Sequence, residues 1–182
     1  MSSVMEYLQG RGVAFTVLPA PASDDTTRTA MRHGYPPQEV VSVSVMTNRF
    51  GDAFMVLPAG RELDLAMARE ALGEPDSRPA TDRELERRYP DYEKGCLPPL
   101  GLFFMLPIYA DPGVMRRHSI VFALGRPGLA VRLRTRDLFR DDPVVMAPLM
   151  RGLREPAFVS TEVSVSAGSS PDEVTIVFDE PE

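Results

Sequence analysis

The sequence predicts an α/β (α+β) fold, with one domain over residues 1–142 and a C-terminal extension, residues 143–182, holding a helix and a β-hairpin. Three observations predict it. Residues 40–46 alternate strictly, Val41, Val43 and Val45 against Ser42, Ser44 and Met46, which is the period of a strand with two different faces. Thr81-Asp82-Arg83-Glu84 is a capping box, a helix-start signal, and it lies between strand signals rather than after them. Finally, 182 residues with 43% hydrophobic and 25% charged side chains are enough for one buried core and exclude wholesale disorder.

The elements follow in order. Ser2 or Ser3 caps a helix through Leu8, which Gly10 and Gly12 end. Residues 14–18 read as a strand stopped by Pro19 and Pro21. Asp24 and Asp25 are capping candidates for a second helix that Gly34 closes, and Pro36-Pro37 breaks the chain. The alternating strand 40–46 and a strand at 53–57 are joined by a turn over 48–52. A helix over 63–72 ends at Gly73, and the capping-box helix runs to Tyr89 before Pro90. A stiff loop, Gly95-Cys96-Leu97-Pro98-Pro99-Leu100-Gly101, comes next. Strands are expected at 103–109, 119–124 and 130–134. Thr135 caps a short helix into Phe139, and 144–153 reads as a helix interrupted by Pro148. In the last segment Val159, Thr161, Val163 and Val165 share one face, residues 167–171 turn, and Val174, Ile176 and Phe178 return. An isolated hairpin is marginal in water, so this one needs the main sheet, a second copy or a partner to pack on.

Charge is unevenly distributed around the net −6. Residues 116–154 hold nine arginines against Asp137, Asp141 and Asp142, whereas residues 155–182 hold seven acidic groups and no basic one. A basic stretch in an acidic protein suits a phosphate-binding face. It also suits a general arginine bias, since Lys94 is the single lysine beside 19 arginines. Cys96 is the sole cysteine, so no internal disulfide forms and a reducing compartment fits. With His33 and His118 the only histidines, the ligand set of a structural zinc site is lacking and no metal is expected. No targeting segment is visible. The longest uncharged run, residues 96–110, holds three prolines and is too short to span a bilayer, so a cytoplasmic protein without membrane contact is expected.

The order of short motifs resembles the YbaK/ProX family, the prolyl-tRNA-synthetase-associated editing domain, over roughly residues 4–142. The pieces are Tyr7-Leu8 with Gly12-Val13, Val17-Leu18-Pro19, and Gly34-Tyr35-Pro36-Pro37 with Val40-Val41. Next come Val56-Leu57-Pro58-Ala59, Leu63-Asp64-Leu65, Ala71-Leu72-Gly73, Ala80-Thr81 with Glu84-Leu85, and Tyr89-Pro90. The most specific is Gly95-Cys96-Leu97-Pro98-Pro99-Leu100-Gly101, followed by Leu106-Pro107-Ile108-Tyr109-Ala110-Asp111. Ile120-Val121-Phe122 and Arg132 with Asp137 complete the series. The Pro-Pro-Leu-Gly form looks like the ProX branch.

The resemblance implies a single domain on a mixed, partly barrel-like sheet surrounded by helices. It implies hydrolysis of the ester in a mischarged aminoacyl-tRNA, with the acceptor end as partner and neither metal nor organic cofactor. It further implies that loop amides polarise the ester carbonyl and that a terminal ribose hydroxyl assists the attacking water. The family lysine follows two apolar residues; here Val40-Val41 is followed by Ser42, which carries no charge and has a shorter reach. The His-Pro pair common in the family is Ala20-Pro21, and the acidic residue of the second helix is Thr27 or Arg28.

Catalytic positions are thus expected at Ser42, Gly95 and Gly101, and substrate-binding positions at Cys96, Pro98, Pro99, Asp111 and His118. Each has a plainer explanation. Ser42 is also an ordinary strand serine; Gly95, Pro98, Pro99 and Gly101 also make a tight connection. Cys96 also fills a gap, Asp111 and Asp137 also cap, and His118 also sits in a solvated turn. His33 is expected to complement a helix C-terminus rather than to catalyse. Three functions remain open: a trans-acting deacylase with an altered site, a non-catalytic module binding tRNA, a nucleotide or a small amino-acid-like ligand, and an interaction module whose acidic C-terminal hairpin serves oligomerisation, as in a homodimer, or a partner.

Overall fold

A computed structural model describes residues 3–151. In chain order it holds α1 (Ser3–Gly10), β1 (Phe15–Pro19), α2 (Thr26–Arg32), a 3-10 turn (Pro37–Glu39), β2 (Val41–Asn48), β3 (Gly51–Pro58), α3 (Leu65–Leu72) and β4 (Arg78–Pro79). Then follow α4 (Asp82–Arg88), α5 (Gly101–Phe104), β5 (Ile108–Ala110), α6 (Pro112–Met115), β6 (Ser119–Ala123), β7 (Leu129–Arg134), α7 (Thr135–Leu138) and β8 (Val144–Met146). The expected hairpin at 159–178 lies outside the described residues.

Local chemistry accounts for the helix ends. Asp25 accepts the Arg28 N–H at the start of α2, and Asp64 accepts those of Ala66 and Met67 at the start of α3. Gly73 closes α3 in the left-handed region at φ 66°. In α4 both arms of the Thr81–Glu84 capping box form. The Arg78 guanidinium, bonded to both Glu84 oxygens at 2.8 Å, is the main reason that this carboxyl titrates below its usual range.

The strands form a mixed α/β domain on two sheets. One has the order β1-β7-β6, antiparallel throughout; the other is β4-β2-β3-β5-β8, with the last two pairings parallel. A single parallel bridge, Val40 to Val121, links the sheets, and no closed barrel forms among the described residues. The largest core cluster takes Val41, Val45, Phe54 and Val56 from one sheet and Ile120, Phe122 and Leu133 from the other. Met46, Met55 and Leu57 point the opposite way, against Ala68 of α3 and Leu149. On the small sheet, Leu18, Val121 and Ala130 pack under Ala30 of α2.

Two expected elements differ. The strand expected over 103–109 is only Ile108–Ala110, and Phe103 and Phe104 belong to helix α5 instead. Aromatic Phe103-Phe104 favours a strand locally, but the Asp142 carboxylate accepts the Leu102 N–H at 2.9 Å and caps a helical turn there. Met105, left-handed at φ 55°, ends that turn. The helix over 144–153 is instead strand β8, paired in parallel with β5. Pro143 and Pro148 leave too few residues for a helix, and Val144-Val145 is β-branched. The described body therefore continues past residue 142, with Ala147 and Leu149 closing the second cluster.

Candidate active site

The loop at 95–101 is pinned to the β6–β7 turn. Glu93 N–H donates to the Gly125 carbonyl at 2.7 Å, Gly125 N–H to Cys96 at 3.1 Å, and Cys96 N–H to Glu93 at 2.9 Å. Pro98 and Pro99 are buried and have no N–H to offer. Gly95 is exposed at φ 78°, a conformation that suits glycine.

Beside this loop opens a cleft of about 370 Å³. Val43 of β2 forms its floor; Asp82, Leu85 and Glu86 of α4 form one wall; Tyr89, Tyr92, Glu93, Lys94, Gly95 and Leu97 complete it. Gly95 and Leu97 both border the cleft, and their backbone N–H groups have no acceptor among the described residues. Lys94 Nζ meets Asp82 Oδ2 at 2.7 Å, an exposed pair of little energetic weight that leaves the ammonium available to an anion. Tyr89 donates its hydroxyl to Asp52 Oδ2 at 2.7 Å; burial and then this carboxylate raise its pKa, and burial raises that of Tyr92. Both phenols are therefore neutral donors at neutral pH.

The expected site residues do not all meet here. Gly95 borders the cleft. Ser42 does not: it pairs with Leu57 and shares its face, whereas Val43 next to it faces the cleft. The Gly101 amide is directed at the buried Asp142 carboxylate rather than the cleft. A Cβ at Gly101 would stand 2.8 Å from Ile108 Cγ1 and from the Leu106 carbonyl oxygen, so close packing requires glycine there. Cys96 is 5% exposed, and burial pushes its thiol up to about 11. Asp111, expected to bind substrate, is a structural cap, because its two oxygens accept the N–H groups of Gly113 at 2.8 Å and Leu149 at 3.0 Å. His118 is exposed in a separate groove with Arg132 and Arg134. His33 Nε2 lies 2.8 Å from the Pro19 carbonyl and ties α2 to β1.

Lys94, Tyr89, Tyr92 and Leu97 were not singled out from sequence as site residues. One signal was present: the single lysine of the chain stands next to its most distinctive loop. Among the described residues no cluster of three His, Cys, Asp or Glu side chains could hold a metal, and no helix is long and apolar enough to cross a membrane.

Comparison with known proteins agrees with this architecture. Among curated proteins none matches the chain. A candidate trans-editing enzyme for prolyl-tRNA synthetase superposes with a TM-score of 0.72 at 26% identity, covering 82% of this chain and 95% of that one. A scaffold used for computational grafting of linear epitopes superposes at 0.71 with 22% identity, over 82% and 96% of the two chains. A hypothetical protein does so at 0.71 with 21% identity, over 81% and 99%; these last two likenesses concern the fold alone. The family model of the aminoacyl-tRNA editing domain matches residues 20–140. With two thirds of its length matched by that model, the chain belongs to the aminoacyl-tRNA editing domain family.

Proposed function

We propose that this protein is a trans-acting deacylase that hydrolyses the ester between a wrongly attached amino acid and the 3′ end of a tRNA. The observation that carries the reading is the pair of unpartnered N–H groups, Gly95 and Leu97, at a cleft in an editing-domain fold. In the proposed chemistry the ester carbonyl oxygen accepts from these two amides. Water adds to the carbonyl carbon, the amides hold the oxyanion of the tetrahedral intermediate, and the C–O bond to the ribose breaks as that oxygen takes up a proton. One oxyanion donor is typically worth about 3–4 kcal/mol in the rate. Lys94 supplies the positive charge that Ser42 lacks, on the same side as the loop.

A second reading, binding without turnover, is favoured by the uncharged Ser42 and its place outside the cleft. One experiment decides between them. The full chain is incubated with alanyl-, seryl- and cysteinyl-tRNA, and loss of the ester is followed against the spontaneous rate. The expected result is hydrolysis of at least one of them, reduced about tenfold or more in Lys94→Ala. Intact esters together with retained tRNA binding select the second reading. Hydrolysis that rises in Ser42→Lys and ignores Lys94→Ala relocates the site to the face shared by Ser42 and Leu57.

A further inference from the structure

The cleft accounts for one end of a nucleic acid and leaves the basic stretch unexplained. That stretch folds into a groove of about 540 Å³ at the head of the β6–β7 hairpin. Ala14, Phe15 and Thr16 border it on one side, His118 and Ser119 on another, and Arg132, Arg134 and Asp137 on the third. Pairing of Ser119 with Arg134 sets the latter beside His118, and Thr135 N–H donates to the His118 carbonyl at 3.1 Å. Of three consecutive exposed residues, Arg116, Arg117 and His118, His118 lines the groove and the two arginines precede it at its edge in the chain.

Asp137 is the one acid among the described residues that line the groove, and Glu39 reaches Arg132 from outside it. Glu39 holds Arg132 through two hydrogen bonds at 2.6 and 3.0 Å, and that guanidinium lies 4.4 Å from the centroid of the Tyr35 ring. Asp137 lies 3.6 Å from Arg136. By contrast Arg116, Arg117 and Arg134 have no carboxylate partner among the described residues. The result is surplus positive charge along one edge of the groove. Guanidinium groups in that arrangement suit phosphodiester oxygens, which they engage through paired N–H donors.

Position supports the same ligand. Strand β6 is five residues long; the groove lies at its start, and the turn that pins the cleft loop follows its end. At strand rise the two are about 15 Å apart, a span that one RNA strand covers in a few nucleotides. We infer that this groove binds the phosphate backbone of the RNA acceptor stem behind the 3′ end, with Arg117 and Arg134 as its principal contacts and His118 beside them. The inference rests on the tRNA reading for the identity of its ligand, and it is tested by binding rather than by hydrolysis, so the two readings fail separately.

The experiment measures fluorescence anisotropy of the full chain with an uncharged acceptor-stem minihelix at several salt concentrations. Arg117→Ala with Arg134→Ala is compared with a control of equal charge change, Arg49→Ala with Arg61→Ala, and both are checked for native melting. The expected result is at least tenfold weaker binding for the groove variant alone. Its slope of log affinity against log salt is expected to be shallower by about one to two, near 0.7–0.9 per lost phosphate contact. Inorganic phosphate at millimolar concentration should not displace the minihelix. Equal affinity and slope in the groove variant overturn the inference. So does an equal loss in the control pair, which reports net charge rather than a site, and so does displacement by inorganic phosphate.

Discussion

Asp142 holds the start of α5 from 40 residues away: its Oδ1 accepts the Leu102 N–H at 2.9 Å, while its Oδ2, 3.9 Å from Arg11, is buried without a hydrogen-bond partner among the described residues. Burial raises the pKa of this carboxyl, outweighing the amides of Leu102 and Gly101 and the charge on Arg11. A raised native pKa means that the folded protein takes up the proton before the unfolded chain does as pH falls. The unfolded chain therefore holds fewer protons between the two pKa values, and this group lowers stability as pH rises through that range. Asp142→Asn keeps an acceptor for Leu102 and removes the buried charge. Its melting temperature relative to the native protein is expected to be more favourable at pH 7.5 than at pH 4. An equal difference at the two pH values contradicts this account.

Gly95 and Gly101 bracket one loop for different reasons, and alanine separates them. At Gly101 a methyl would meet Ile108 and a backbone carbonyl at 2.8 Å, so Gly101→Ala is expected to cost about 1–3 kcal/mol through overpacking. At Gly95 the space is open and only the backbone angle resists. Gly95→Ala should cost about 1–2 kcal/mol, and Gly95→Asn less, since asparagine tolerates the left-handed region. Urea denaturation of the three variants checks the order; Gly95→Asn as costly as Gly101→Ala would contradict it.

Cys96 is expected to be chemically silent in the folded protein. Its thiol is 5% exposed and pushed up to about 11 by burial, with the charge of Glu93 adding to the shift. At pH 8 the thiolate is then on the order of one part in a thousand. Iodoacetamide should label almost none of the native protein and one thiol per chain in urea, and Cys96→Ala should hydrolyse any substrate at the native rate. Rapid native labelling would place the thiol outside the core.

Much of the fold was legible because its signals are local. The Thr81–Glu84 box, the stop at Gly73 and the alternation in β2 are each set by neighbours within a few residues, and each forms as expected. The misread elements depend on remote partners. Helix α5 exists where a strand was expected because Asp142 caps it, and β8 is a strand because β5 offers it an edge.

The site divides in the same way. A pocket beside the 95–101 loop was expected from the resemblance, and Gly95 and Leu97 of that loop border a cleft. That Ser42 turns from the cleft while Lys94 enters it was not. Alternation along a strand tells which residues share a face, yet both faces of β2 are buried here, one against the small sheet and one against α3.

By itself, then, the amino-acid order determined the family and the mixed α/β architecture, because motif order and short-range capping are properties of adjacent residues. Only the folded chain decided which polar groups stay unpartnered. Asp111 was consumed by Gly113 and Leu149, and Arg132 by Glu39, whereas among the described residues the Gly95 and Leu97 amides found no acceptor and the Arg134 guanidinium no carboxylate. The physical reason is that a donor or acceptor is satisfied by whatever packing brings within about 3 Å, and for these groups most partners come from distant parts of the chain.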